Sequence, residues 1–144
     1  YYAENKGVFK IMGVNYGIVL ENTIKELDGR KPKLMLHSCC APCSSYVLDY
    51  LWEHFDITVY YYNPNIFPPE EYKKRAAEQK YLIKEMFPKG DVKLICEEHL
   101  SEEFYSAVKG MENIPEGGKR CFVCYRLRLE KTAQAAKKYG CEYF

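Results

Sequence analysis

The stretch KLMLHSCCAPCSSYVLDYLWEHFDITVYYY, residues 33–62, contains two short apolar runs on either side of a helix-length segment. The runs Lys33–His37 and Ile57–Tyr62 are rich in the aliphatic, β-branched and aromatic residues that favour strands. Between them, apolar residues recur at helical spacing up to His54, and serines at positions 44 and 45 are candidate N-caps. The stretch therefore predicts a strand–helix–strand unit, which is the building block of a parallel sheet.

Outside this unit, strand and helix patterns continue to alternate, and a chain that alternates in this way folds as an α/β protein. We predict a parallel sheet with flanking helices, with ligands bound at the carboxyl-terminal edge of the strands. The turn 38–43 and the loop 63–69 both follow strands and should share that edge. The pattern predicts further helices over 16–27, 68–87, 101–109 and 121–139, and further strands over 91–96 and 141–144.

The length of 144 residues and the content of 47% hydrophobic and 28% charged residues fit one globular domain. We assign that domain to residues 15–144 and treat residues 1–14, which show no clear period, as an N-terminal extension. No apolar run approaches the roughly 20 residues that cross a bilayer, and the start does not resemble a secretory signal. A cytoplasmic location without a membrane partner is the resulting prediction.

Seven cysteines are many for a chain of this kind, and five of them lie in two tight groups. A secreted disulfide framework would space its cysteines along a small, loop-rich chain, whereas these interrupt a regular α/β pattern. Metal binding or redox chemistry is the better interpretation of both groups.

The group Cys121-Phe-Val-Cys124 begins a predicted helix, where residues three apart lie on one face and can present two thiolates to one centre. The basic residues Lys119, Arg120 and Arg126 and the helix N-terminus all favour the thiolate form. A single CxxC is only moderately specific, because dithiol redox motifs and zinc half-sites also contain it.

The group Cys39-Cys40-Ala-Pro-Cys43 lies at a strand-ending turn, where adjacent cysteines can face the same centre. Two cysteines from this group and two from the CxxC make a four-thiolate set, which suits zinc or an iron–sulfur cluster. The residue pattern alone does not separate these metals. Cys43 adds a fifth thiol, which either contacts the same centre or packs under the turn.

Charge is unevenly distributed in a chain whose net charge is only +1. Residues 119–138 carry seven basic side chains against one acid, Glu130. Such a segment around a cysteine pair suits an anionic partner such as a nucleic-acid backbone, and a solvated helix face is the equal alternative.

The loop Tyr62-Asn-Pro-Asn-Ile-Phe-Pro-Pro combines amides, aromatic rings and rigid turns, with Arg75 just behind it. Tyr62, Asn63, Asn65 and Arg75 are therefore candidates for binding a nucleobase or ribose by stacking and hydrogen bonding. A proline-stiffened connection whose asparagines cap its turns is the simpler interpretation of the loop taken alone.

Three separated motifs together resemble one known family. LHSCCAPCSSYVL (36–48), YYNPNIFPPEEYKKR (61–75) and GGKRCFVCYRLRLEKTA (117–133) are similar, in this order and spacing, to the cobalamin-independent epoxyqueuosine reductases of the QueH type. The resemblance covers roughly residues 15–144.

This resemblance implies a nucleotide-hydrolase-like (HUP, Rossmann-like) α/β fold and a 4Fe–4S cluster held by Cys39, Cys40, Cys121 and Cys124. It implies an oxidoreductase that converts epoxyqueuosine to queuosine at the wobble position of tRNA, with electrons from a donor that the sequence does not identify. The anticodon loop would be the partner. We expect the basic segment to contact the tRNA, and its candidate substrate-binding residues are Arg120 and Arg128.

The chain departs from the family pattern in one respect, since family members carry a further cysteine pair nearer their C-terminus. On that basis the chain is expected to be truncated. A cluster with all four irons held by cysteine also has no open site for an epoxide oxygen. Either three of the four cysteines hold the cluster and leave one iron open to substrate, or a second metal lies beside it. We favour an adjacent iron or other divalent metal that contacts Cys43, which would make Cys43 a catalytic residue.

Two hypotheses from other classes remain open at this point. One is a zinc-stabilised RNA-binding module without catalysis, and the other is a thiol–disulfide oxidoreductase that uses Cys121 and Cys124 as its dithiol.

Overall fold

Side chains alternate between the two faces of the sheet, and this alternation divides the core into two parts. In the computed structural model, which describes residues 14–144, β1 (Lys33–His37) pairs in parallel with β2 (Asp56–Tyr61), and β2 pairs in parallel with β3 (Lys93–Cys96). Leu34 lies opposite Ile57 and Met35 opposite Thr58, so neighbouring positions on the strands point to opposite faces.

Within the described part of the chain, five helices flank this sheet, and their apolar faces cover it. The larger core cluster includes Leu34, Leu48, Ile57 and Ile83 and so joins one face of the sheet to the helices that follow β1 and β2. The smaller cluster joins Met35, Tyr60 and Tyr62 to alanines of the last helix on the other face. The helices are α1 (Tyr16–Glu26), α2 (Ala41–Leu51), α3 (Pro69–Met86), α4 (Ser101–Ala107) and α5 (Lys119–Tyr139).

The direction of winding reverses at β1. The chain first lays β2 and then β3 on one side of β1. After α5 it returns to the other side, where Tyr143 forms a parallel bridge with Leu34 and Met35 N donates to Tyr143 O at 3.0 Å. A reversal of this kind leaves a crevice beyond the carboxyl end of the strand at which it occurs, here β1, and open α/β sheets bind ligands in such a crevice. The residues that follow β1, from Ser38 onward, occupy that position.

The structure confirms the predicted parallel α/β sheet with flanking helices and shifts some of its boundaries. Helix α2 begins at Ala41 rather than near Ser44, because Cys40 is extended and Pro42 suits the first turn of a helix. Helix α5 begins at Lys119, two residues earlier than predicted, and ends as expected at Gly140, which has the left-handed φ of 68°. The predicted strand over 141–144 is a single bridge at Tyr143.

Two predictions on the ends and surroundings of the chain are left open. Residues 1–13 of the predicted extension lie outside the described part of the chain. Within residues 14–144, no helix combines the length and the apolar character that crossing a bilayer requires. The cytoplasmic location stays a prediction.

The larger core cluster should account for most of the stability, and Leu48→Ala tests this expectation. Leu48 is fully buried, so its truncation should lower the free energy of unfolding by about 2–5 kcal/mol through lost burial and the cavity that remains. Leu129→Ala, at a position 51% exposed on α5, is the matched control and should change it by less than about 0.5 kcal/mol. Urea titration of both variants measures the difference, and equal losses would contradict the assignment of the core.

Candidate metal centre

Three thiols lie together where β1 ends. Cys39 and Cys40 follow the strand directly, and Cys43 lies in the first turn of α2. The three Sγ atoms are all within 4.8 Å of one another, and those of Cys39 and Cys40 are 3.9 Å apart. We call these residues the thiol group.

The spacing and chemistry of the thiol group fit a metal ion. Sulfurs that ligate one tetrahedral ion at about 2.3 Å are separated by roughly 3.8 Å. The observed separations are close to that value, so only small side-chain rotations would bring the three sulfurs onto one ion. Thiolates favour zinc and iron–sulfur centres over the hard cations that oxygen ligands bind.

The first thiolate of the group is expected at Cys40. Partial burial opposes its ionisation, but hydrogen bonds from the side chain and backbone of Cys43, with help from Cys39 and the charge of Arg75, bring the pKa of Cys40 below its ordinary value. The hydrogen bond with Cys40 raises the pKa of Cys43 to about 11, although Cys43 is exposed. For Cys39, burial raises the pKa and the neighbouring Cys40 adds to the rise.

The CxxC pair lies one helical turn apart at the start of α5. Gly117 N donates to Cys121 Sγ at 3.3 Å, so this sulfur already accepts a hydrogen bond from the backbone. Cys124 is 8% exposed, and burial raises the pKa of its thiol. Both cysteines line a cleft of about 370 Å³ together with Asn65 and Arg120.

The four predicted cluster ligands are therefore found as two pairs. Among the described residues, Cys39, Cys40 and Cys43 are the only group of three or more potential ligands whose ligand atoms all lie within 4.8 Å of one another. Arg128 links the two pairs, because its charge favours the thiolate of both Cys39 and Cys124.

Arg128 is held by hydrogen bonds rather than free in solvent. Its Nε donates to Cys124 O at 3.4 Å and one terminal nitrogen donates to Asn63 Oδ1 at 3.4 Å. Its guanidinium also lies 5.2 Å from the centre of the Tyr125 ring. The side chain is thus fixed between the strand ends and α5, where it offsets thiolate charge.

A cleft of about 320 Å³ opens beside the thiol group. Cys39 and Cys43 form part of one wall, and Tyr125, Arg128 and Leu129 of α5 form part of another. His37 also lines it; its Nε2 lies 3.0 Å from Tyr62 O, so Nε2 carries the proton because a carbonyl oxygen only accepts. The cleft thus offers an exposed ring, a cation and thiols to a bound molecule.

A buried polar network lies under the turn that carries the thiols. The hydroxyls of Ser38 and Ser44 are 2.5 Å apart, and both contact the side-chain amide of Gln79 on α3. Ser44 Oγ also donates to Cys40 O at 2.9 Å, and Asn63 Nδ2 donates to Ser38 O at 2.8 Å. Every one of these four side chains is buried. They fix both ends of the turn.

The candidate residues of the 62–69 loop are largely internal. Tyr62 is 3% exposed and its hydroxyl donates to Glu103, while Asn63 is 1% exposed and uses both ends of its amide within the protein. This geometry does not support direct substrate contact by Tyr62 or Asn63, because neither presents a free polar atom or an open ring face. Asn65 differs, since its buried Oδ1 has no partner among the described residues and the side chain lines the CxxC cleft.

The remaining candidate substrate residues are arginines, which differ in how strongly their side chains are held by other groups of the protein. Arg75 forms an ion pair with Glu71 at 2.7 Å, and Arg120 donates to Glu112 O at 3.2 Å while lining the CxxC cleft. Arg126 is 79% exposed in its side chain and pairs with Glu130. Arg126 is therefore a basic side chain of α5 that is open to a large anionic partner.

Tyr125 and Gln79 are site residues that the sequence analysis did not single out. Tyr125 follows Cys121 by four residues and precedes Arg128 by three, so helical periodicity puts all of them on one face of α5. Gln79 lies seven residues after buried Tyr72 and four before buried Ile83, which makes it a polar residue on the buried face of α3. In both cases the helical spacing of the residues in the sequence contained the signal.

The fold and this site together define a class of protein: an α/β protein with a thiol-rich candidate metal centre. That centre lies at the switch point of the parallel sheet, which is the place beside β1 where the strand order reverses. Comparison with known proteins narrows this class. A family model described as epoxyqueuosine reductase QueH matches residues 34–144. The chain belongs to the QueH family.

Individual relatives agree with this assignment. The chain is 43% identical over 137 residues to the epoxyqueuosine reductase QueH of Staphylococcus epidermidis and 41% identical over 135 residues to that of Streptococcus pyogenes. Each alignment covers 91% of this chain. The QueH protein of Thermotoga maritima is 35% identical over 114 residues, or 77% of the chain. The alignments span 58%, 53% and 56% of these relatives, so the chain corresponds to little more than half of their length.

The order of thiol ionisation can be measured in the reduced, metal-free protein by alkylation with iodoacetamide. Cys40 should react severalfold faster than Cys43 near neutral pH although Cys43 is exposed, because the thiolate is the nucleophile and the pKa of Cys40 is lowered while that of Cys43 is about 11. The Cys40 rate should also level off at lower pH than that of an ordinary cysteine. Peptide mass spectrometry resolves the two sites.

The matched variant for this measurement is Cys40→Ser. It removes the neighbour that raises the pKa of Cys43, so Cys43 should then react faster than in the unmodified protein. A Cys43 rate that stays the same in this variant would show that the two thiols are not coupled.

Proposed function

We propose that this protein takes part in the reductive deoxygenation of epoxyqueuosine to queuosine at the wobble position of tRNA. The observation that carries the proposal is the thiol group at the switch point, beside a cleft that also contains Arg128 and an exposed tyrosine, in a chain of the QueH family. In the reaction, two electrons and two protons are consumed, both epoxide C–O bonds break, the oxygen leaves as water and an alkene remains. The electrons come from a donor protein or small reductant.

The proposed ligands of a 4Fe–4S cluster are Cys39, Cys40, Cys121 and Cys124. Their donor chemistry fits, since four cysteine thiolates are the usual ligands of such a cluster. The position of Arg128 between the two pairs supports the set, because one cation favours the thiolate on both sides. When bound, the cluster supplies the electron transfer that amino-acid side chains do not perform.

Cys43 is the thiol left over from this set. Its Sγ lies within 4.8 Å of those of Cys39 and Cys40, so a second iron or another divalent metal held partly by Cys43 fits the spacing. Such an ion would supply Lewis-acid chemistry toward the epoxide oxygen. This assignment makes Cys43 the catalytic residue of the proposal.

The protein itself would bind and orient the modified nucleoside. Tyr125, with 54% of its surface exposed at the cleft, offers a ring face for stacking, and Arg128 offers hydrogen-bond donors to a part of the substrate that enters the cleft. Asn65 has an unpartnered oxygen in the neighbouring cleft, where it can accept from a base or ribose. The exposed basic side chains of α5, led by Arg126, would contact the tRNA backbone.

A zinc-stabilised RNA-binding module is the second candidate, because the sulfur separations of the thiol group suit one tetrahedral ion. The thiol–disulfide oxidoreductase is less well supported. Reactive dithiols combine an accessible sulfur with a lowered pKa, whereas burial raises the pKa of Cys124.

Cys121→Ser tests the cluster. After anaerobic reconstitution with iron and sulfide, the unchanged protein should be brown, and Cys121→Ser should lose most of its broad visible absorption because one cluster ligand is gone. The variant should still fold, since Cys121 lies outside both main core clusters. Iron and sulfide analysis, absorption spectra and a thermal melt provide the measurements.

The matched control is Cys96→Ser, which removes an exposed cysteine of β3 that is not a proposed ligand. It should retain the full spectrum. Full iron and sulfide content in Cys121→Ser would remove Cys121 from the ligand set. A colourless unchanged protein with one zinc per chain would favour the RNA-binding module, and activity without metal would favour the oxidoreductase.

Arg126→Glu tests the contact of α5 with the tRNA backbone. Reversing an exposed charge should weaken binding of an anticodon stem-loop and reduce the slope of log K against log salt by about one, since fewer counterions are released. Fluorescence anisotropy at several salt concentrations measures both quantities.

Lys84→Glu is the control for that experiment, because it makes the same change in net charge in the last turn of α3, at the edge of the sheet away from the thiols. It should leave both affinity and salt slope close to their original values. Equal effects at the two positions would mean that overall charge, rather than a contact on α5, determines binding.

A further inference from the structure

The polar network under the thiol group contains more oxygen–oxygen contacts than it has hydroxyl protons to fill them. Four oxygen contacts meet there: Ser38 with Ser44, each serine with the Oε1 position of Gln79, and Ser44 with Cys40 O. Two hydroxyl protons are available for these four contacts. At the same time Gln79 is fully buried and its Nε2 has no partner among the described residues.

Rotating the amide of Gln79 by half a turn resolves most of this imbalance. The nitrogen and oxygen of an amide are assigned from the hydrogen bonds they make. With Nε2 facing the serines, one N–H is shared between the two hydroxyl oxygens, which lie close together. Ser38 Oγ–H then donates to Ser44 Oγ and Ser44 Oγ–H donates to Cys40 O, so every contact has a proton.

The rotation also improves the buried side of the amide. In the unrotated amide both N–H donors lack a partner, whereas after rotation one N–H and the carbonyl oxygen lack one. A buried carbonyl oxygen without a partner is tolerated better than a buried N–H. The short Ser38–Ser44 separation of 2.5 Å is also explained, because two oxygens approach so closely only with a proton between them.

We propose that Gln79 is a positioning residue for the thiol group, acting through an N–H that faces Ser38 and Ser44. The resulting chain of hydrogen bonds runs in one direction, from Gln79 through the serines to Cys40 O, and fixes the first turn of α2. The three sulfurs are thereby held within 4.8 Å of one another before any metal arrives. The effect on metal affinity rests on the proposed function, whereas the amide orientation does not.

The first measurement addresses the orientation in the metal-free, reduced protein by NMR. The side-chain amide signals of Gln79 are assigned by their loss in Gln79→Met. One amide proton should give NOEs to the β-protons of both Ser38 and Ser44. NOEs to neither serine would overturn the inference, whatever the metal experiments give.

The second measurement is the affinity for Co²⁺, followed by the thiolate-to-cobalt charge-transfer absorption. Gln79→Met should bind Co²⁺ about 10–100-fold more weakly than the unchanged protein, which is the usual effect of losing a residue that orients metal ligands. The controls are Gln134→Met, an exposed glutamine on α5, and Ile83→Ala, which destabilises the same helix without touching the network. Both should keep the original affinity below their melting temperatures.

The outcomes separate the positioning role of Gln79 from the existence of the proposed metal centre. Equal Co²⁺ affinity of Gln79→Met and the unchanged protein overturns the positioning role, and so does an equal loss in Ile83→Ala. If Gln79→Met does not fold, Ser44→Ala, which removes the donor to Cys40 O, must show the same weakening. If the unchanged protein binds no Co²⁺, the proposed metal centre and the positioning role toward it both fail, and the NOEs alone decide whether the amide is oriented as inferred.

Discussion

The site depends on the hydrogen bond from Asn63 to the carbonyl oxygen of Ser38, 2.8 Å long and buried. It joins the end of β1 to the residues that follow β2, just past the backbone hydrogen bond from Ser38 N to Tyr60 O that extends the pairing of these two strands. The other end of the same amide accepts from Arg128. One buried side chain therefore connects the turn that carries Cys39 and Cys40 to the helix that carries Cys124, and an unsatisfied amide at this depth would be costly.

This connection gives the site its electrostatic character. Negative charges on three thiols in a small volume would repel one another. The pKa of Cys40 is lowered and that of Cys43 is raised, so the first thiolate is expected at Cys40. Arg128 is fixed by its own hydrogen bonds at a point where its charge acts on both cysteine pairs. A held cation of this kind lowers the cost of gathering thiolates and loses little freedom when a ligand binds.

The sequence was sufficient to predict the parallel α/β sheet, because strand periodicity and helical spacing are local signals, and the motifs were sufficient to predict the family. Boundaries at Ala41 and Lys119 were missed, since extended backbone at Cys40 and a glycine start at Gly118 left no side-chain cap to recognise.

The sequence also did not predict how deeply individual polar side chains are buried. Tyr62 is a residue type that often stacks on bases, but here its hydroxyl donates a hydrogen bond to Glu103, which lies 41 positions away in the sequence. Gln79 and Ser38 are likewise brought together only by the tertiary packing of α3 against the end of β1. The cluster ligand set remains a prediction.

The placement of Cys121, Cys124, Tyr125 and Arg128 on a single face of α5 also bears on how this protein can evolve. Each helical residue turns the chain by about 100°, so inserting or deleting one residue between positions 121 and 128 would send part of the set to a different side. The loop at 110–118, before the helix, has no such restriction, because surface connections tolerate changes in length. Divergence among relatives should therefore appear as length variation before α5 and as substitution without length change inside it.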